Sequence, residues 1–241
     1  EYIKEAAKKA IDDGFTKYTA ASGTPELKQA VCGRLKRKYN LDYKPSQIVI
    51  SNGAKHSLYN TFQAILNPGD EVIIFAPYWV SYSELVKMAG GIPVFVETSA
   101  AENFEPKKEV IEKAITPKTA AIIVNSPSNP CGCVYSKATL EMLADIAKEH
   151  DLYVVADEIY DELVYDGAQF TSFPTLGEDA YNRTILINGF SKAYAMTGWR
   201  MGYTACDEKI AKIMGSYQSH ATSNPCSVTQ QASIAAMNGP Q

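Results

Sequence analysis

The sequence predicts an α/β fold: a doubly wound, mostly parallel, seven-stranded sheet sandwiched by helices. Three features point there. Apolar, β-branched runs recur at 47–51, 71–75, 92–97, 120–125, 152–157, 184–189 and 201–205. Most are nearly continuous in Val, Ile and Ala, the mark of strands covered on both faces. Stretches of helical period separate most of them, at 53–66, 78–89, 107–115 and 136–150, with another at 208–217. Strands alternating with helices join through crossovers into a parallel sheet.

Ahead of the first strand, the chain opens in a helix-like pattern. A second helix is predicted from Thr24, a good N-cap, through Pro25 at the first helical position to about Tyr39. Residues 1–45 read as a helical approach segment and 46–241 as the α/β core. No finishing element stands out at 239–241.

Composition narrows the function. The 241 residues are 46% hydrophobic, enough for one substantial core. A net charge of −4 without a basic block argues against nucleic acid as a partner. No apolar run reaches membrane-spanning length, so no membrane role is expected. The five cysteines are odd in number and scattered, which predicts reduced thiols and a cytoplasmic setting. Cys131 and Cys133 are separated by one residue rather than the two of a zinc pair, and His56, His150 and His220 show no ligand spacing. No metal is expected.

Ligands of open α/β sheets bind outside the carboxyl ends of the strands, and the polar residues gather there. After the first run comes Ser51-Asn52-Gly53-Ala54-Lys55, opening a helix. Small residues at a helix N-terminus suit a phosphate, although an ordinary βα turn reads the same way. Trp79 follows the second run and offers a flat face for a ring, or a core contact. The turn at 125–132 holds Asn125, Asn129 and two prolines, all turn formers. Asp157 ends a buried run, where a charge is costly unless paired; capping a following helix is the alternative. After the sixth run, residues 188–202 read Asn-Gly-Phe-Ser-Lys-Ala-Tyr-Ala-Met-Thr-Gly-Trp-Arg-Met-Gly. Ser191, Lys192 and Arg200 place a hydroxyl, an amine and a guanidinium together, as a phosphate anchor beside a reactive amine requires.

Residues 188–202 resemble the lysine motif of the class I pyridoxal-phosphate aminotransferases (fold type I), and the resemblance extends over essentially the whole chain, towards the bacterial-type aspartate aminotransferases. It implies pyridoxal 5′-phosphate as cofactor, carried by Lys192 as a Schiff base, with the freed amine then moving the proton. It further implies that Gly53, Ala54, Lys55, Ser191 and Arg200 hold the phosphate. Trp79 would stack on the ring, Asn129 and Tyr160 would bond the phenolic oxygen, and Asp157 would pair with the ring nitrogen. The family's Asn-Pro-Thr-Gly turn here carries Cys131 in place of Thr. Glu158 receives no chemistry. Tyr18, within Lys17-Tyr18-Thr19, matches a tyrosine that reaches the neighbouring subunit's phosphate, which implies a homodimer with a shared site.

The reaction implied is transamination between an amino acid and a 2-oxo acid. Lys55 matches a lysine that reads a distal carboxylate, so aspartate or glutamate is the expected substrate, with prephenate as an alternative; Trp79 and Asn129 would also touch it. The same anchors serve a β-lyase or a racemase, and a non-catalytic cofactor-binding module is a third reading. The resemblance also implies that these residues form the large domain only. The small domain, with its arginine for the α-carboxylate, would lie outside them, so the chain would bind cofactor but transaminate weakly or not at all.

Overall fold

A computed structural model describes residues 1–240. The seven expected strands form: β1 (Ile48–Ser51), β2 (Glu71–Ala76), β3 (Ile92–Glu97), β4 (Thr119–Asn125), β5 (Tyr153–Asp157), β6 (Thr184–Gly189) and β7 (Gly202–Ala205). They make one sheet in the order β1-β7-β6-β5-β4-β2-β3. β7 runs antiparallel to both β1 and β6; the other pairings are parallel. The mostly parallel sheet is therefore as expected, with its one reversed strand near an edge.

The helices are α1 (Tyr2–Asp12), α2 (Pro25–Tyr39), α3 (Ala54–Ile65), α4 (Ser81–Met88), α5 (Lys108–Ala114), α6 (Lys137–Glu149), α7 (Glu178–Arg183), α8 (Glu208–Ala221) and α9 (Ser227–Asn238). Thr24 caps α2 as expected: its hydroxyl accepts from the Leu27 N–H at 3.4 Å. α4 begins later than the periodicity predicts, because Pro77 to Val80 form the turn that follows β2. α7 and α9 are not anticipated by the sequence reading. The buried side of α9 is made of small and polar residues, Ala232, Ser233 and Ala236 among them, with Met237 the one large apolar residue, so it lacks the repeated apolar marks of a helix period. It packs on α1 and α2.

Successive side chains of a strand point to opposite faces, so the sheet builds two cores. On one face Ile50, Ile73, Ile122, Val154 and Leu186 meet α2, α6 and α9. On the other, Val49, Ile74, Ile123, Val155 and Ile187 meet α3, α4 and α8. The sandwich is thus closed on both sides, and the free space lies at the carboxyl ends of the parallel strands. Among the described residues, no helix is long and apolar enough to cross a membrane.

Candidate active site

A cavity of about 250 Å³ opens there, and nine of the expected residues line it: Ala54, Lys55, Trp79, Asn129, Asp157, Tyr160, Ser191, Lys192 and Arg200. They come from the first turn of α3, the turn after β2, the turn after β4, the end of β5 and the residues just past it, and the segment between β6 and β7. Positions 54 and 200 are far apart in sequence and adjacent in space because β7 pairs with β1.

Two glycines allow that approach. Gly53 has φ 87, and a Cβ there would sit 3.0 Å from the Arg200 Cζ and nearer still to its Nη2. At Gly202, a Cβ would sit 3.0 Å from the Ala54 Cα and closer to the Ala54 nitrogen. A Cβ at Gly202 would meet backbone and push β7 off the β1–α3 turn, whereas one at Gly53 would displace the Arg200 guanidinium. Arg200 itself adopts the left-handed region at φ 51. Its Nη1 donates to the Thr197 carbonyl at 2.7 Å and its Nη2 to the Asn52 carbonyl at 3.4 Å. The guanidinium is thereby held over the N-terminus of α3, whose own partial charge is positive. Two positive ends facing one space call for an anion.

Asp157 lines the same cavity. No helix follows β5, so Asp157 caps none. Its side chain is buried, accepting from the Tyr82 hydroxyl at 2.7 Å and from the Ile159 N–H at 3.2 Å. Burial pushes its carboxyl up to about 6, and those two bonds hold it back from going further. The Asn129 Nδ2 donates to the Tyr160 hydroxyl at 3.4 Å, so these two residues meet as expected. The Lys192 Nζ lies 5.4 Å from the centroid of the Tyr160 ring, and the Lys55 Nζ 4.9 Å from that of Trp79.

Tyr18 does not join this group. It is 89% exposed and lines no part of the cavity. Two residues that sequence reasoning passed over are present, and a third, Asn125, which it read only as a turn former, does more. Tyr82 and Thr197 line the cavity directly. Asn125 braces it from behind: its Nδ2 donates to the Asp157 carbonyl at 3.0 Å, and its Oδ1 accepts from the Asn129 N–H at 2.8 Å. Asn125 ends its strand beside Asp157, a place that sequence could have flagged. Tyr82 is one of 15 tyrosines, and only its spacing of three from Trp79 hints at a shared face.

The cavity's donor set fits pyridoxal 5′-phosphate. The α3 N-terminus with Arg200 and Ser191 suits the phosphate, Trp79 offers a ring face, the Asp157 carboxylate suits a ring N–H, and Lys192 is an amine for the aldehyde.

Sequence and fold both have known counterparts. The family model for aminotransferase class I and II matches residues 1–241. An aspartate aminotransferase of Bacillus sp. (strain YM-2) is 50% identical over 239 residues, covering 99% of this chain and 61% of the relative. An aspartate/prephenate aminotransferase of Cereibacter sphaeroides is 48% identical over 240 residues, covering 99% and 60%. The structure of the Thermus thermophilus aspartate aminotransferase with maleate superposes with a TM-score of 0.94 at 46% identity, covering 98% of this chain and 61% of that one. The chain thus spans about three-fifths of the length of these relatives. By family match, identity and fold alike, it belongs to the class I and II aminotransferases, whose cofactor is pyridoxal 5′-phosphate.

Proposed function

We propose that the protein transfers an amino group between a dicarboxylic amino acid and a 2-oxo acid, with Lys192 as the amine that carries the cofactor. One observation carries this reading. Among the described residues, the cavity's cations Lys55, Lys192 and Arg200 have no carboxylate partner, and its buried carboxylate Asp157 has no cation partner. Such a site is balanced only by a ligand that brings both an anionic group and a protonated ring.

Pyridoxal 5′-phosphate supplies the electron sink that stabilises negative charge at the substrate Cα. Arg200, Ser191 and the first N–H groups of α3 bind the phosphate and fix the cofactor's position. Trp79 covers one ring face and excludes water from it. The Asp157 carboxylate holds the proton on the ring nitrogen, which keeps the ring electron-poor. Asn129 and Tyr160 donate to the phenolic oxygen. The Lys192 Nζ, once freed, moves a proton from and to the substrate Cα.

Lys55 stands exposed at the cavity's edge beside Trp79, a place for a distal carboxylate. The names of the relatives, and maleate, a dicarboxylate, in the Thermus structure, support that substrate class. Prephenate, which also carries two carboxylates, fits the same cation. Arg200 is the sole arginine lining the cavity among the described residues, and the phosphate engages it. The substrate α-carboxylate is then left without its guanidinium, so these 241 residues bind cofactor and turn over slowly. Tyr18, projecting from the surface, is free to reach the phosphate of a second copy, which makes a homodimer the working unit.

The test is to add pyridoxal phosphate, reduce with borohydride and map the labelled peptide. Label on Lys192, lost in Lys192→Ala, is the expected result. Label on another lysine, or uptake unaffected by Lys192→Ala, refutes the assignment.

A further inference from the structure

Tyr82 is not among the residues that sequence singled out, yet it makes two contacts that bear on the cavity. It sits on α4, 2% exposed, on the same face of the sheet as Val155. Asp157 lies two residues beyond Val155 on β5 and points to that face too. The Tyr82 hydroxyl donates to the Asp157 Oδ2 at 2.7 Å, while the Ile159 N–H holds Oδ1 at 3.2 Å. Its ring edge also meets the Trp79 ring, at 5.4 Å between centroids and 89° between planes. One side chain thus braces both the carboxylate and the flat face that the cavity presents to a ring.

We propose that Tyr82 is a positioning residue for the cofactor ring: its hydroxyl keeps Asp157 ionised and aimed at the ring nitrogen, and its ring sets the plane of Trp79. The proposal rests on the reading of the cavity as a pyridoxal phosphate site.

The physical case turns on what else faces Asp157. Tyr82 approaches from α4, with Tyr135 behind it. Tyr160 follows on the same segment, and Glu158, the residue just past β5, is turned to Ser172 and Phe173. Lys192, Lys55 and Arg200 line the cavity beyond. None of these cations pairs with Asp157 among the described residues, so the Tyr82 hydroxyl and the Ile159 N–H are the donors that offset its burial. Burial and the Asp157 charge push the Tyr82 phenol well above its usual range, so it stays a donor throughout the working pH range. A tyrosine is suited to this place because it donates without adding a charge that would compete with the ring nitrogen.

The experiment compares the wild-type chain with Tyr82→Phe, which keeps the ring against Trp79 and removes only the hydroxyl. Two readouts are used. The first is the titration of the Asp157 carboxyl in the cofactor-free chain, followed by carbon-13 NMR and assigned with Asp157→Asn. The second is the pH profile of pyridoxamine 5′-phosphate binding, followed by tryptophan fluorescence; this probe has no aldehyde, so Lys192 chemistry does not enter. Phosphate ionisation is common to both proteins and cancels in their ratio.

Loss of a hydrogen bond to a charged group should raise the Asp157 midpoint by about one pH unit or more. Binding near pH 6.5 should weaken about threefold, approaching tenfold at lower pH, with the acid limb of the profile displaced upward by a similar interval. An unchanged midpoint and an unchanged profile would overturn the proposal. So would a Tyr82→Phe protein that behaves as wild type while Tyr82→Ala does not, since that assigns Tyr82 to packing alone. If the wild type itself fails to bind pyridoxamine phosphate, the reading of the cavity falls, and the NMR titration still decides whether Tyr82 holds Asp157 ionised.

Discussion

The two faces of the sheet at the end of β5 carry the same kind of group to different ends. On one face Asp157 meets the cavity. On the other, Asp161 enters a packed polar cluster with α2, and Glu158 is held by Ser172 and Phe173. There the Arg34 Nη2 donates to the Asp161 Oδ2 at 2.8 Å and to the Glu162 Oε1 at 3.0 Å, and its Nη1 to the Tyr203 hydroxyl at 3.2 Å. The Tyr39 hydroxyl donates to the same Asp161 oxygen at 2.5 Å, and Lys38 pairs with both acids. Burial would push the Asp161 carboxyl up; Arg34, Lys38 and Tyr39 together hold it below the usual range. Asp157, equally buried but without a cation, is pushed up to about 6. A buried carboxylate that the protein neutralises is structure. One left with neutral donors only, beside cations that are also unpaired, is a place for a ligand.

The packed face should break hardest. Arg34→Met removes the partner of a fully buried carboxylate, and stranding such a charge costs about 3–5 kcal/mol. For a chain of this size that is a fall in Tm of roughly 10 °C, read by calorimetry. A loss under about 1 kcal/mol would mean that Tyr39 and Lys38 suffice for Asp161, and the contrast between the faces would weaken.

Asp157→Asn should do the reverse. It removes a charge that burial disfavours, so stability above pH 6 should hold or rise. Asp157, pushed up from its usual value to about 6, contributes stability that is fully present at acid pH and lost as pH rises through about 6; the variant lacks that loss. Cofactor affinity should fall by about 2 kcal/mol, roughly thirtyfold, through the missing charge-assisted bond to the ring nitrogen. Equal losses of stability in both variants would erase the distinction between the faces.

Glu158 gives a finer test, because it is buried like Asp157 yet faces the packed side. It accepts from the Ser172 hydroxyl and the Phe173 N–H, both at 2.7 Å, and burial raises its carboxyl to about 8. A raised carboxyl contributes stability fully present below its ordinary value near 4.5 and lost as pH climbs through about 8. Stability should therefore decline by up to about 1.4 kcal/mol per pH unit within that window on account of this group. Glu158→Gln should flatten the decline, seen in urea midpoints across the window, and leave cofactor binding alone. An unchanged slope would show that Ser172 and Phe173 already stabilise the ionised form.

How far the sequence displayed this division follows from range. The strands were legible because long Val and Ile runs and the polar residues ending them are local signals. Lys192, Asp157 and Arg200 were legible through a motif whose residues sit close together in the chain or end a strand. The contrast between Asp157 and Asp161 was not, because it depends on Arg34 and Tyr39, more than 120 positions away. Tyr82 was hidden for the same reason: its bond to Asp157 spans 75 positions, and nothing in its own helix marks it. α9 escaped because helices buried through small residues leave a weak period.

The smallest effect belongs to the cavity's outermost cation. On the packed face Arg34 and Lys38 both have carboxylate partners, whereas Lys55 rests over Trp79 with no acid beside it among the described residues. If that vacancy is for a distal carboxylate, Lys55→Ala should weaken maleate binding to the cofactor-loaded chain by about 1 kcal/mol, roughly fivefold, since the ammonium is exposed and its ion pair is screened by water. A monocarboxylate of similar size should lose almost nothing, and added salt should shrink the difference. On the proposed reading Arg200 and the α3 N-terminus carry the phosphate, so cofactor affinity should change less than maleate affinity. Equal losses for maleate and the monocarboxylate would assign Lys55 to the phosphate instead. The dicarboxylate preference would then need another cation, and among the described residues none other lines the cavity apart from Lys192 and Arg200.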